Sequence, residues 1–131
     1  MTHYLKYIEY AIHASWNEPA LLDFNGNTRY TYGEMAQKVA WLNILFEKIG
    51  LQKGDRIAIC GRNCSNWAVA YLAIAAYKGV VVSILPDFTS DSIHELVRHS
   101  EARAMFVGPW VKGRLDLDKM PEKGFFSSHG I

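Results

Sequence analysis

The sequence predicts an α/β fold, with a parallel sheet between helices in α/β/α layers and a small N-terminal β-hairpin in front. Three observations carry that expectation. From Thr31 to Val107 the pattern runs helix, strand, helix, strand, helix, strand. Such alternation implies right-handed crossovers and parallel strands. The strand Arg56–Cys60 is apolar after its first residue and does not alternate cleanly, so both of its faces are covered. Glycines at 50 and 79 stop the helices that feed the sheet.

Taken in order, Leu5, Ile8 and Ile12 recur at spacings of three and four, which predicts a short amphipathic helix from about Thr2 to Ala14. Pro19 ends any helix, and Ala20 to Phe24 reads as a strand. Asn25-Gly26-Asn27 is turn chemistry, because both residue types tolerate positive φ. Thr28 to Thr31 returns as the second hairpin strand. Thr31 and Glu34 have the spacing of a capping box. Met35, Val39, Leu42, Phe46 and Ile49 then form one apolar helix face, ended by Gly50 as a left-handed cap. Lys53-Gly54-Asp55 is a turn. Ser65 is an N-cap, and Trp67 to Tyr77 is apolar all round, which predicts a helix buried on most sides. Its five alanines, at 68, 70, 73, 75 and 76, allow close packing. Gly79 caps it. Val80 to Leu85 is a β-branched strand ended by Pro86. Thr89 to Ser92 starts a helix that turns Ile93, Leu96 and Val97 inward, and Arg103 to Val107 is the last strand, broken by Gly108-Pro109. Beyond it, charges, three glycines, two serines and an isolated Phe125-Phe126 read as a weakly structured tail over 110–131.

Composition narrows the classes. A chain of 131 residues is one domain by size, long enough to bury roughly two thirds of its unfolded surface. Half the residues are apolar and 21% are charged, as in globular proteins. A net charge of +1 with scattered Lys and Arg argues against a nucleic-acid binder. The longest apolar run, Trp67 to Tyr77, has eleven residues, whereas a membrane span needs about twenty. No signal peptide is visible, so a soluble cytoplasmic protein is expected. Cys60 and Cys64 are spaced C-x3-C, unlike the usual zinc or redox pairs, and a buried free thiol in a reducing compartment is the simpler reading.

Few motifs carry chemistry. The loop Gly61-Arg62-Asn63-Cys64-Ser65-Asn66 follows a strand and precedes a helix, but holds one glycine and no Lys-Ser/Thr pair. It is neither a P-loop nor a dinucleotide fingerprint, and a plain connection is its default reading. His94 and His99 are five apart without partners at metal-ligand spacing, so surface histidines and no metal site are expected. No G-x-S-x-G elbow is present. Trp67, Tyr71 and Tyr77 could line a ligand site, although core packing explains them better. Arg62 and Asn63 follow the carboxyl end of a sheet strand, where ligand crevices of open α/β sheets lie. They are the candidate site-lining residues. No catalytic residue is identified.

Several pieces in fixed order resemble the adenylate-forming, AMP-binding acyl-CoA synthetases. They are Pro19-Ala20-Leu21, Arg29-Tyr30-Thr31-Tyr32-Gly33-Glu34, Gly50-Leu51 with Lys53-Gly54-Asp55-Arg56-Ile57-Ala58, Asn63 with Trp67, Gly79-Val80-Val81, and Ser100-Glu101-Ala102. Leu85-Pro86-Asp87-Phe88-Thr89-Ser90 looks closest to the long-chain fatty-acid–CoA ligase branch. The resemblance implies that residues 1–109 are a partial N-terminal domain of such an enzyme. In its full-length form the family uses ATP, Mg²⁺ and CoA to activate a fatty acid through an acyl-adenylate. The phosphate loop with its lysine, the adenine motif, the ribose-binding Asp and the C-terminal hinge lie further along such chains than Ile131. The expectation is an N-terminal fragment whose partner is the missing downstream part of the enzyme, itself inactive and binding no cofactor alone. The alternative is a stand-alone small α/β binding or assembly module on the same scaffold. Reading the gene past Ile131 separates the two. A sheet cut from a larger one exposes an edge and an apolar face, so a homodimer through either is also expected.

Overall fold

The structure, a computed structural model, describes residues 3–22, 29–61 and 65–127. Helix α1 (His3–Ala14) sets Ile8 and Ile12 against the core and leaves Tyr7 and Tyr10 exposed. Strands β1 (Pro19–Leu22) and β2 (Arg29–Thr31) pair antiparallel, with Leu21 opposite Tyr30. The predicted turn at 25–27 lies outside the described residues.

Helix α2 (Tyr32–Lys48) begins as its sequence dictates. Thr31 Oγ1 accepts from the Glu34 N–H at 3.1 Å, and Glu34 Oε1 accepts from the Thr31 N–H at 2.9 Å. Two otherwise orphaned donors are satisfied reciprocally. Gly33, in its first turn, meets the face of Trp16. A Cβ there would lie 2.5 Å from the indole, so only glycine admits the ring.

The end of α2 is a complete Schellman motif. Gly50, at φ +85°, donates to Glu47 O at 3.1 Å, and Leu51 donates to Phe46 O at 3.0 Å. Helix α3 (Ser65–Ala76) stops by the same bonds, but the residues are not those expected. Lys78, at φ 64°, takes the left-handed position and donates to Ala75 O. Gly79 is the next residue and donates to Ile74 O at 2.9 Å. Gly79 is needed for space instead: a Cβ would meet Ile74 Cγ2 at 3.1 Å and Asp55 O at 3.3 Å.

Strands β3 (Arg56–Cys60), β4 (Val80–Ile84), β5 (Ala104–Val107) and β6 (Gly124–Ser127) form one parallel sheet in the order β4-β3-β5-β6. The order explains the layers. The chain steps one way from β3 to β4, then reverses across β3 to β5 and on to β6. Right-handed crossovers in opposite directions put their helices on opposite faces. So α3, with α2, covers Ile57, Ile59, Ala104 and Phe106, while α4 (Ser90–Ser100) and α5 (Pro109–Lys112) cover Ala58, Cys60, Met105 and Val107.

Helix α3 buries one face, through Val69, Ala70, Ala73 and Ile74, and leaves Tyr71 exposed, so it is less enclosed than its composition predicts. Its alanines bring α2 close enough for Asn43 Nδ2 to donate to Ala73 O at 2.9 Å.

Residues 110–127, expected to be weakly structured, instead carry α5, a 3₁₀ turn at Leu117–Lys119 and β6. Val111, Leu115 and Met120 are buried over the second face. Adjacent strand residues point to opposite faces, so Phe125 packs on the second core and Phe126 on the first, where its ring lies 5.2 Å from that of Phe106. The isolated Phe-Phe pair plugs both cores. Among the described residues no helix is long and apolar enough to cross a membrane.

Candidate functional site

The strand order locates the crevice. The connections leaving β3 and β5 run to opposite sides of the sheet, which makes their carboxyl ends a topological switch point. Gly61 follows β3 and Gly108 follows β5, and the two backbones touch there. The Gly108 N–H donates to Cys60 O at 3.1 Å. A Cβ on Gly61 would lie 3.2 Å from Gly108 N, and one on Gly108 3.7 Å from Gly61 Cα. A side chain at 61 would force the two loops apart.

Arg62 and Asn63 lie outside the described residues. The nearest described residues on either side of them, Gly61 and Ser65, flank the switch point. Beside it the hairpin braces the first turn of α3: the Tyr30 hydroxyl donates to Asn66 Oδ1 at 2.6 Å, and Lys38 Nζ sits 5.3 Å over the Tyr30 ring. Trp67 and Tyr71 stack at 5.4 Å, with Trp67 half-buried against the core. Tyr77 is a packing residue. Its ring meets Phe46 edge-on, and its hydroxyl donates to Leu51 O at 2.6 Å.

Beneath the crevice Cys60 is a fully buried free thiol. Burial pushes its pKa up to about 11, against a smaller opposing pull from the Arg114 charge. The thiol stays protonated at neutral pH, so it is neither a nucleophile nor a ready metal ligand.

Two side chains gained roles that the sequence did not suggest. Arg114 donates from Nη1 to Pro86 O at 3.0 Å and from Nη2 to Phe88 O at 2.7 Å. It ties the loop after β4 to the loop after α5. In the sequence it is one more charge in a polar run, and nothing local marks it. His94 is mostly buried rather than at the surface. Its Nε2 accepts from the Asp116 N–H at 3.0 Å, which leaves the ring proton on Nδ1, 4.0 Å from an Asp91 carboxylate oxygen. The sequence signal was its place three residues before Val97 on an amphipathic helix, a spacing that shares a face. His99, by contrast, is at the surface, 3.1 Å from Glu95.

An open groove of about 710 Å³ runs between α4 and residues 119–121. Among its lining charges Arg98 and Glu95 pair with each other. The Arg98 hydrogen bond at 2.7 Å holds the Glu95 carboxyl below its ordinary range, helped by the Arg98 charge and by His99. No group of three or more potential metal ligands occurs among the described residues. At the floor of the crevice between the carboxyl ends of β3 and β5, the Gly108 N–H is already bonded to Cys60 O.

Comparison with known proteins supplies what the crevice does not. Among solved structures, the long-chain-fatty-acid-CoA ligase FadD1 of Archaeoglobus fulgidus superposes with a TM-score of 0.81 at 17% identity, over 92% of this chain and 26% of that one. The N-terminal subdomain of Klebsiella oxytoca NpsA gives 0.75 at 19% identity, over 93% of this chain and 29% of that one. At such identities the likeness establishes the fold. Among curated proteins, long chain acyl-CoA synthetase 1 of Arabidopsis thaliana is 30% identical over 89 residues, which is 67% of this chain and 14% of that protein. The acyl-CoA ligase sidI of Beauveria bassiana is 27% identical over 92 residues, 70% of this chain and 16% of that protein. The chain thus spans about a sixth or less of these two relatives. The sequence pattern of the AMP-binding enzymes matches residues 8–125, from α1 into β6. With a family match over residues 8–125, this chain belongs to the AMP-binding enzyme family, and its fold is that of the N-terminal region of adenylate-forming acyl-CoA synthetases.

Proposed function

We propose that the chain is the N-terminal segment of an ATP-dependent fatty acid:CoA ligase acting through an acyl-adenylate. By itself it is a scaffold that neither adenylates acids nor binds ATP tightly. The observation that carries the reading is the match of the AMP-binding enzymes over residues 8–125, together with relatives described as acyl-CoA synthetases and ligases. The long-chain reading draws on the Arabidopsis and Archaeoglobus proteins, whose descriptions name long-chain substrates.

The parts of the molecule fit that role unevenly. The sheet, its two cores and the Gly61–Gly108 contact form a rigid wall at a switch point. The sequence holds no Ser/Thr/Gly-rich loop with a lysine to hold a triphosphate. ATP, Mg²⁺ and CoA would be held by the downstream part of the enzyme, with Arg62 and Asn63 contributing at the crevice wall. The free buried thiol at Cys60 fits a reducing, cytoplasmic compartment.

Two measurements test this. The pure 131-residue protein is expected to release no pyrophosphate from ATP with any fatty acid, and turnover above a heat-killed control would overturn the scaffold reading. A chimera in which this chain replaces the matching segment of a full-length relative is expected to keep pyrophosphate release with fatty acids. A folded chimera that activates other carboxylic acids but no fatty acid would overturn the substrate reading.

A further inference from the structure

β4 ends the sheet, and no strand among the described residues pairs with its free side. The Val80 N–H donates to Asp55 O at 2.9 Å, toward β3. Backbone groups alternate sides along a strand, so Val80, Val82 and Ile84 bond to β3, while Val81 and Ser83 present their N–H and C=O groups to the free side. The strand is Val-Val-Val-Ser-Ile, without the lysine, proline or bulge by which edge strands are usually protected. Val80 and Leu85, at its two ends, are 47% and 60% exposed.

Charges flank this neutral strand asymmetrically. Exposed Lys78 precedes it and exposed Asp87 follows it, and neither forms an ion pair among the described residues. The backbone that carries each is held in place. Lys78 is fixed in the left-handed turn that ends α3, and Arg114 binds the carbonyls on either side of Asp87.

We infer that β4 is a self-recognition edge, on which β4 of a second copy of this chain pairs antiparallel about a two-fold axis near Val82. That arrangement sets Val81 of one copy against Ser83 of the other and joins two four-stranded sheets into one. It also brings Lys78 of each copy beside Asp87 of its mate, at both ends. A parallel pairing would instead place like charges together. The inference rests on the fold and on this charge pattern, and it concerns the 131-residue chain by itself, whose β4 edge is the one a downstream part of a longer enzyme could also cover.

Sedimentation velocity over a dilution series tests it, with circular dichroism to check folding. The 131-residue protein is expected to form a dimer that dissociates on dilution and more readily in high salt. Ser83→Pro removes an N–H on the free side without touching the β3 ladder, and is expected to leave a folded monomer. Lys78→Asp and Asp87→Lys are each expected to weaken the dimer roughly threefold to tenfold, as for exposed pairs lost twice by symmetry. The double variant is expected to restore it, which keeps the test decisive should Ser83→Pro not fold. A protein that stays monomeric at every concentration, with fast-exchanging Val81 and Ser83 amides, overturns the inference. So does a dimer indifferent to Ser83→Pro or to the charge exchange.

Discussion

Toward α2 and α3 the sheet turns Ile57, Ile59, Ala104 and Phe106, and toward α4 and α5 it turns Ala58, Cys60, Met105 and Val107. The first face is closed by two long helices and an aromatic chain in which Phe46 meets both Tyr77 and Phe106 edge-on. The second is closed by one amphipathic helix, one four-residue helix and single anchors at Val111, Leu115 and Met120. Large rings fixed by many neighbours cover one side. Aliphatic side chains on shorter segments, tied together by Arg114 and His94, cover the other. The contrast teaches that a parallel sheet needs both faces covered but does not need the same kind of cover.

The largest effect expected from that contrast is at Phe46. Phe46→Ala empties a site shared by α2, α3 and the sheet, and should cost about 3–5 kcal/mol. Val111→Ala, on the second face, removes two methyl groups and should cost about 1–2 kcal/mol, since a short helix can settle into the gap. Chemical denaturation measures both, and equal losses would break the distinction between the faces.

Next comes the pH response of the second face. The Cys60 thiol titrates near 11 in the folded chain and lower when unfolded. The folded state therefore holds the proton more tightly. Its stabilising effect is complete below the unfolded pKa and is lost as pH rises through about 11. Stability should fall between about pH 9 and 11 by up to ~3 kcal/mol more than in Cys60→Ala, whose other titrating groups are identical. Parallel pH curves for the two proteins would show that the thiol is not sealed under the second face.

Arg114→Ala should cost about 1–3 kcal/mol, because two carbonyls lose a charged donor. The clearer sign is local: the amides of 85–89 should exchange faster while those of β3 do not. A uniform change would mean that Arg114 supports the whole face rather than one loop. The smallest effects lie at the helix ends of the first face. Gly50→Ala should destabilise by about 1 kcal/mol, because alanine resists φ +85°. Lys78→Gly should stabilise by up to about 1 kcal/mol by relieving the same strain. If both substitutions destabilise, Lys78 contributes something beyond its backbone geometry.

The same contrast separates what could be read from the chain. The first face was legible because its signals are local. The Thr31–Glu34 box, the Met35-to-Ile49 face and the Gly50 stop each span a few turns of one helix, and the structure shows all three. On the second face α4 was legible, but the anchors after it are four and five residues apart with no repeating period, so β6 looked like tail. His94 was misjudged because an amphipathic pattern does not say which polar residue will find an acceptor or donor from a distant segment. The candidate site was legible as a place, the carboxyl end of β3, rather than as a set of partners.

The sequence by itself determined the class of structure. Periods of 3.6 and 2, caps and glycine stops act within a turn or a strand, so they are written in neighbouring residues. It also determined the family, through short segments that build those same elements. Only the tertiary structure decided that β3 lies between β4 and β5, that Gly61 meets Gly108, that Arg114 binds the loop after β4, and that Lys78 rather than Gly79 turns left-handed. The physical reason differs between these. The first three join residues distant along the chain, whose meeting depends on the closing of the whole sheet. At 78 and 79 the bonds that end the helix put the left-handed turn on Lys78, while Gly79 sits where a Cβ would crowd Ile74 and Asp55.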